Sequence, residues 1–128
     1  MSQRQYRNTK KAAAASGYSH GVLDGDYVFL AGQVACDRAD GKATLGDIEA
    51  ETRDAMDLLG AALAEFGLTH ADLVRTTIYM TDFDDFEKMN AVYSSYFPKD
   101  RMPARTAVEV NRLFGGAAIE IDGIARKR

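Results

Sequence analysis

The sequence predicts a small α+β domain in which one mixed β-sheet carries two helices on a single face. A length of 128 residues supports one hydrophobic core and is too short for two. Strand-like and helix-like patterns follow each other in the order β-β-β-α-β-α-β-β. Hairpins give antiparallel neighbours and strand-helix-strand connections give parallel ones, so the sheet should be mixed. We therefore expect one domain that spans residues 1–128.

The N-terminal part of the chain should contribute three strands. A short strand is expected at residues 5–9, and a second near 20–23 leads through the turn signal at 24–26 into a third at 27–34. The third strand is apolar on both faces, which is typical of strands that are covered twice. Two helices cannot cover both faces of the sheet, so we expect the open face to pack against other copies of the chain.

The two helices have recognisable end signals. The first should begin at the capping signal in residues 44–47 and end at Gly67. The second should be opened by Asp82 or Asp84 and stopped by Pro98. Three further strands complete the pattern, at residues 73–81, 105–110 and 118–126.

Composition and charge exclude several classes of protein. Dedicated nucleic-acid binders carry a basic surface, whereas the net charge of this chain is −3. We therefore expect no nucleic-acid partner. No apolar stretch approaches the length of a membrane span, and Cys36 is the single cysteine. We therefore expect a cytoplasmic protein without membrane contact, with an import signal in the basic, acid-free residues 1–20 as the alternative.

Two familiar patterns are rejected. Residues 17–21 spell G-x-S-x-G, the nucleophile elbow of α/β-hydrolases, but that motif requires a following helix, whereas a hairpin is predicted here. The two histidines, His20 and His70, lie far apart without metal-ligand spacing. We expect neither a hydrolase triad nor a metal site.

Arg105 and Glu120 are candidates for a site that binds a small carboxylic acid. Strand alternation places each on the face opposite its neighbours, and we expect both to point away from the helices. A guanidinium group can bind a carboxylate through two parallel hydrogen bonds. An ordinary ion pair at an interface is the alternative interpretation.

Five strings of residues are typical of a known family. They are Gly17-Tyr18-Ser19, Leu30-Ala31-Gly32-Gln33, Met89-Asn90-Ala91-Val92-Tyr93, the segment 103–110 with the sequence PARTAVEV, and Ile119-Glu120-Ile121. Together they extend over nearly the whole chain. They resemble the RidA family, the reactive-intermediate deaminases that are also called the YjgF family.

The resemblance implies a chorismate-mutase-like α+β subunit, a homotrimer, and active sites in the clefts between subunits. Family members with the arginine hydrolyse short-lived enamines and imines to 2-oxoacids and ammonia. Their substrates include 2-aminoacrylate, its tautomer 2-iminopropanoate, and 2-iminobutanoate. The resemblance implies no metal or organic cofactor, because an imine carbon is already electrophilic.

The resemblance also implies roles for individual residues. Arg105 would clamp the substrate carboxylate, and Glu120 would position or deprotonate the attacking water. The main chain at Ala107 would help to bind the substrate, and Gly32 would permit close approach of the backbone. The full set of implied substrate-binding positions is Tyr18, Ala31, Gly32, Asn90, Ala107 and Phe114.

The chain departs from the family pattern at some of these positions. The family often has Gln where His20 stands, Ser where Ala31 stands, Cys where Ala107 stands, and Pro where Phe114 stands. Loss of a hydroxyl and a thiol would make the cleft more apolar. We therefore expect bulkier imino acids to be favoured over 2-iminopropanoate.

Two other classes of function stay open. A non-catalytic or chaperone-like trimer could hold a 2-oxoacid in the same cleft without turnover. An endoribonuclease or translation-inhibitor role is reported for some relatives, although the acidic net charge argues against it. A deaminase dedicated to one catabolic pathway would share the fold and the arginine, so it is a variant of the deaminase hypothesis and not a separate class.

Overall fold

The computed structural model describes residues 3–128, which form six β-strands and two α-helices in the predicted order. The strands are β1 (Gln5–Arg7), β2 (Gly21–Asp24), β3 (Tyr27–Gln33), β4 (Leu73–Met80), β5 (Ala104–Glu109) and β6 (Ile119–Arg126). The helices are α1 (Ile48–Ala64) and α2 (Phe86–Ser94).

The strands of residues 3–128 form one sheet in the order β1-β2-β3-β6-β4-β5. Neighbouring strands are antiparallel except β4 and β5, which are parallel and connected through α2. The prediction of a mixed sheet is thus confirmed. The β2–β3 hairpin turns at Gly25, whose φ of 64° lies in the left-handed region that favours glycine.

The helix ends follow the sequence signals with small shifts. The Asp47 carboxylate accepts hydrogen bonds from two amides in the first turn of α1. Asp82 caps a short 3-10 turn, and α2 starts directly after that turn instead of at Asp82. Both helices end slightly before the predicted stop residues, Gly67 and Pro98.

Both helices pack on the same face of the sheet, as predicted. Ile78, Ile119 and Ile121 of the central strands are fully buried in one core with Met56 and Leu59 of α1. Burial of an aliphatic side chain of this size stabilises a fold by about 1.5–3 kcal/mol. The core therefore fixes the position of β6, which carries Glu120, and of β4, which pairs with the strand that carries Arg105.

The opposite face of the sheet stays open within the chain. In β3, Val28 and Leu30 are buried in the core, whereas Tyr27 and Phe29 are 43% and 47% exposed. The strand is thus apolar on both faces but covered on only one. The predicted contact with another copy of the chain depends on this uncovered apolar face.

Candidate active site

Arg105 and Glu120 lie on opposite faces of the sheet, so the prediction that both point away from the helices is wrong for Arg105. Arg105 of β5 pairs with Thr76 of β4, whose hydroxyl group contacts the hydroxyl of Tyr93 in α2. Both sequence neighbours of Glu120 are buried in the helix-covered core, so Glu120 itself points to the open face. Within one chain, the sheet therefore separates the two groups.

Helix α2 holds the guanidinium group of Arg105 through three side chains. Arg105 Nη1 donates a hydrogen bond of 2.5 Å to Asn90 Oδ1. The guanidinium carbon lies 5.3 Å from the ring centres of both Phe86 and Tyr93. Cation–π attraction and the hydrogen bond together orient the guanidinium. We call Arg105, Asn90, Phe86 and Tyr93 the Arg105 half-site.

The other donors of Arg105 are available to a ligand. Within residues 3–128, its Nε and Nη2 atoms make no hydrogen bond. The side chain lines a shallow pocket of about 300 Å³ together with Asn90, Met102 and Pro103. Because two guanidinium donors match the spacing of two carboxylate oxygens, this half-site can bind a carboxylate through a bidentate contact.

Glu120 lines a second pocket, which opens on the other face of the sheet. We call this pocket of about 510 Å³ the Glu120 pocket; its walls include Ala13, Tyr18, Gly32, Asp37 and Phe114. Partial burial raises the pKa of Glu120, and the nearby carboxylates Asp122 and Asp37 raise it further. A carboxylate with a raised pKa is a better proton acceptor than an ordinary one.

Contacts with α1 and β3 surround Glu120. A Cβ atom at position 32 would crowd the Glu120 carboxylate, so Gly32 leaves room for the carboxylate in its present position. Glu51 of α1 is fully buried and accepts hydrogen bonds of 2.9 Å from the amides of Gly46 and Ala118. The second bond ties the segment that leads into β6 to α1, and β6 presents Glu120 to the pocket.

The structure gathers most of the predicted site residues into two sets. The first set contains Arg105 and Asn90, and the second contains Tyr18, Gly32, Phe114 and Glu120. Phe114 is 77% exposed, so the second set is incomplete as a binding cavity within one chain. Each set holds one of the two residues, Arg105 and Glu120, that the sequence predicts as catalytic.

Two predicted residues lie outside both pockets. Ala31 is half-buried in β3, and its amide donates a hydrogen bond of 3.0 Å to the backbone oxygen of His20. Ala107 of β5 packs against the helix-covered core. Neither is among the residues that line the two pockets.

Three members of the two sets were not predicted as site residues: Phe86 and Asp37, which no motif marks, and Tyr93, which lies in the string 89–93. Phe86, Asn90 and Tyr93 are spaced so that one face of a helix carries all three side chains. This spacing is the signal that could have identified the two rings as neighbours of Asn90. Asp37 carries no such signal, because its approach to Glu120 depends on segments that are distant in sequence.

Both histidines make hydrogen bonds to the main chain. Within residues 3–128, no group of three or more His, Cys, Asp or Glu side chains could hold a metal ion. The Nε2 atoms of His20 and His70 instead contact the backbone oxygens of Ala13 and Met56.

No helix in the described part of the chain is both long enough and apolar enough to cross a membrane.

Comparison with known proteins places this geometry among related chains. The model of a family described as "Endoribonuclease L-PSP" matches residues 9–127. A RutC family protein of Pyrococcus abyssi is 42% identical over 93% of this chain and 94% of its own length. The 2-iminobutanoate/2-iminopropanoate deaminase of Rattus norvegicus is 36% identical over 95% of this chain and 89% of its own. The crystal structure of the E. coli YjgF gene product matches with a TM-score of 0.88 and 34% identity, covering 97% of this chain and 99% of that one.

Proposed function

This chain belongs to the RidA (YjgF) family, and on that premise we propose that it hydrolyses reactive imines and enamines of amino acids to 2-oxoacids and ammonia. The observation that carries the proposal is the guanidinium group of Arg105. It is oriented by Asn90 and two aromatic rings, and its Nε and Nη2 donors make no hydrogen bond within residues 3–128. Such a group selects a small ligand with a carboxylate.

We propose that the complete site forms between two copies of the chain in a homotrimer. Arg105 and Glu120 point to opposite faces of one sheet, so a substrate of three or four carbon atoms cannot touch both groups of the same chain. The open face carries exposed aromatic side chains that a second copy would cover. The Arg105 half-site of one subunit would then meet the Glu120 pocket of the next.

The proposed reaction adds water across the imine bond. An enamine substrate first gains a proton on its β-carbon and becomes the iminium ion, which is the protonated form of the imine. Glu120 takes a proton from water while the water oxygen bonds to the imine carbon, which gives a tetrahedral carbinolamine. Glu120 then gives this proton to the nitrogen. The C–N bond breaks as the hydroxyl group returns a proton to Glu120 and becomes the carbonyl, so ammonia leaves and a 2-oxoacid remains. Arg105 holds the carboxylate throughout, which positions the imine carbon.

Tyr18 and Asn90 are the proposed orienting groups. The Tyr18 hydroxyl lines the Glu120 pocket, where burial raises its pKa and keeps it a neutral hydrogen-bond donor. Asn90 keeps its amide nitrogen as a donor while its oxygen accepts from Arg105. Ala31 and Ala107 would contribute main-chain contacts only.

The test follows the lifetime of an imine. Threonine dehydratase or an amino-acid oxidase generates the substrate, and semicarbazide traps what survives. Wild-type protein should shorten the lifetime catalytically, and Arg105→Ala should lower kcat/KM about 10²- to 10³-fold through loss of two charged hydrogen bonds. Arg4→Ala, an exposed arginine beside β1, is the matched control. Binding of a 2-oxoacid without any shortened lifetime would replace the proposal with a non-catalytic binding protein.

The substrate preference is proposed to favour bulkier imino acids. Phe114 lines the Glu120 pocket and is largely exposed there, so it offers an apolar wall to a longer side chain. A panel of amino acids in the same assay tests this preference. Turnover of 2-iminopropanoate equal to or faster than that of a leucine-derived imine would contradict it.

A further inference from the structure

His20 is a buried histidine with both ring nitrogens engaged. It is 1% exposed and directly precedes β2. Its Nδ1 atom accepts a hydrogen bond of 3.0 Å from the backbone amide of Thr9. An amide can only donate, so Nδ1 carries no proton, and the ring proton is on Nε2. Nε2 therefore donates to the backbone oxygen of Ala13 at 3.1 Å.

The segment that His20 holds is part of the Glu120 pocket. Ala13 lines that pocket, and its amide donates a hydrogen bond of 2.6 Å to the backbone oxygen of Asp37. A second bond of 2.9 Å joins the Ala39 amide to Lys11. Residues 11–13 and 37–39 thus form one wall, and the imidazole ring is attached to it at Ala13.

The ring also contacts Tyr18, another residue that lines the Glu120 pocket. The two ring centres are 5.9 Å apart with their planes tilted by 58°. His20 therefore touches both the wall that carries Asp37 and the loop that carries Tyr18. Of the two ring bonds, the one to Ala13 reaches the pocket wall, and the one from Thr9 holds the segment that leads into this wall.

We propose that His20 is a positioning residue for the Glu120 pocket, holding the wall of residues 11–13 and 37–39 and the Tyr18 loop around the Glu120 carboxylate. The inference rests on the proposed function only in treating Glu120 as the group that activates water. His20 itself lies behind the pocket wall and touches no substrate.

Loosening this wall should change the environment of Glu120 in one direction. Four titratable groups face Glu120: Asp37, Asp122, Tyr18 and Tyr79. Burial is the main cause that raises the pKa of Glu120, and the Asp37 charge contributes as well. A displaced wall admits water and moves Asp37 away, so both effects lower the pKa of Glu120.

Two variants separate the two bonds of the ring. The side-chain oxygen of Asn occupies nearly the position of imidazole Nδ1, and the amide nitrogen of Gln nearly that of Nε2. His20→Asn should therefore keep the bond from Thr9 and lose the bond to Ala13. His20→Gln should do the reverse, and His20→Leu should lose both.

The experiment uses NMR on the full chain and needs no turnover. Hydrogen exchange of the Thr9 and Ala13 amides shows whether the backbone bonds at the wall stay closed. The ¹³C chemical shift of the Glu120 carboxyl group follows its titration. We expect His20→Asn and His20→Leu to expose the Ala13 amide about tenfold more and to lower the Glu120 midpoint by about half a pH unit, with His20→Gln close to wild type in both.

Two results would overturn the inference. One is an unchanged Glu120 midpoint in folded His20→Asn or His20→Leu protein. The other is equal behaviour of the Asn and Gln variants, which would mean that the bond to Ala13 has no special role. Because the readouts are exchange and titration, a chain without deaminase activity would refute the proposed function and leave this inference to be decided on its own.

Discussion

The Arg105 half-site and the Glu120 pocket are built in different ways. Arg105 stands on a strand and is held by one face of α2, so regular elements fix all four side chains. The Glu120 pocket takes its walls from the segments around Ala13, Asp37 and Phe114, which lie outside the strands and α-helices. The comparison teaches that rigid elements hold the positive charge of Arg105 in place, whereas loops help to bury Glu120 and so raise its pKa.

The largest effect that tests this comparison is the recovery of activity when two inactive variants are mixed. Arg105→Ala and Glu120→Gln should each be almost inactive alone. If each site takes Arg105 from one subunit and Glu120 from another, random mixing after co-refolding should return about a quarter of the sites. The measurement is deaminase activity of the mixture against each parent. A mixture no more active than its parents, at wild-type oligomer size, would place both groups in one chain.

The second prediction separates binding from chemistry. Glu120→Gln keeps the size of the side chain but removes the proton acceptor, so kcat should fall about 10²- to 10⁴-fold with little change in KM. Glu49→Gln, an exposed position in the first turn of α1, serves as the control. A loss confined to KM would assign Glu120 to substrate binding instead.

A smaller effect tests how far the aromatic rings orient Arg105. Phe86→Leu removes one of the two cation–π contacts, worth about 0.5–1 kcal/mol at an accessible site, and should raise KM about two- to fivefold with kcat nearly unchanged. Phe83→Leu is the control, since its ring contacts Phe86 but not the guanidinium group. Equal effects of the two substitutions would show that Phe86 acts only through packing.

The smallest expected effect concerns the charge around Glu120. Asp122→Asn removes a negative charge but leaves an oxygen that can accept the hydrogen bond from the Tyr79 hydroxyl. Without that charge the ionised form of Glu120 is favoured, so its pKa falls. The acid limb of kcat/KM should therefore move to lower pH by less than about one unit. An acid limb that stays in place would mean that Glu120 does not control it.

The order of the elements and the single helix-covered face were predictable because they depend on local periodicity. The alternation in β6 shows which residues are buried, since Ile119 and Ile121 contrast with Glu120 along a strand with one clear apolar face. The first strand was predicted too long, at residues 5–9 instead of Gln5–Arg7. There the Thr9 amide bonds to the ring of His20 instead of to a strand.

The sequence by itself determined the strand and helix order, the helix caps and the two groups, Arg105 and Glu120, that carry the proposed chemistry. Only the tertiary structure decided which face Arg105 occupies. β5 is an edge strand that is mostly exposed on both sides, so its alternation contains no contrast between a buried and an open face. The register with β4 and the contact with α2 resolve that choice, and both join segments that are distant along the chain.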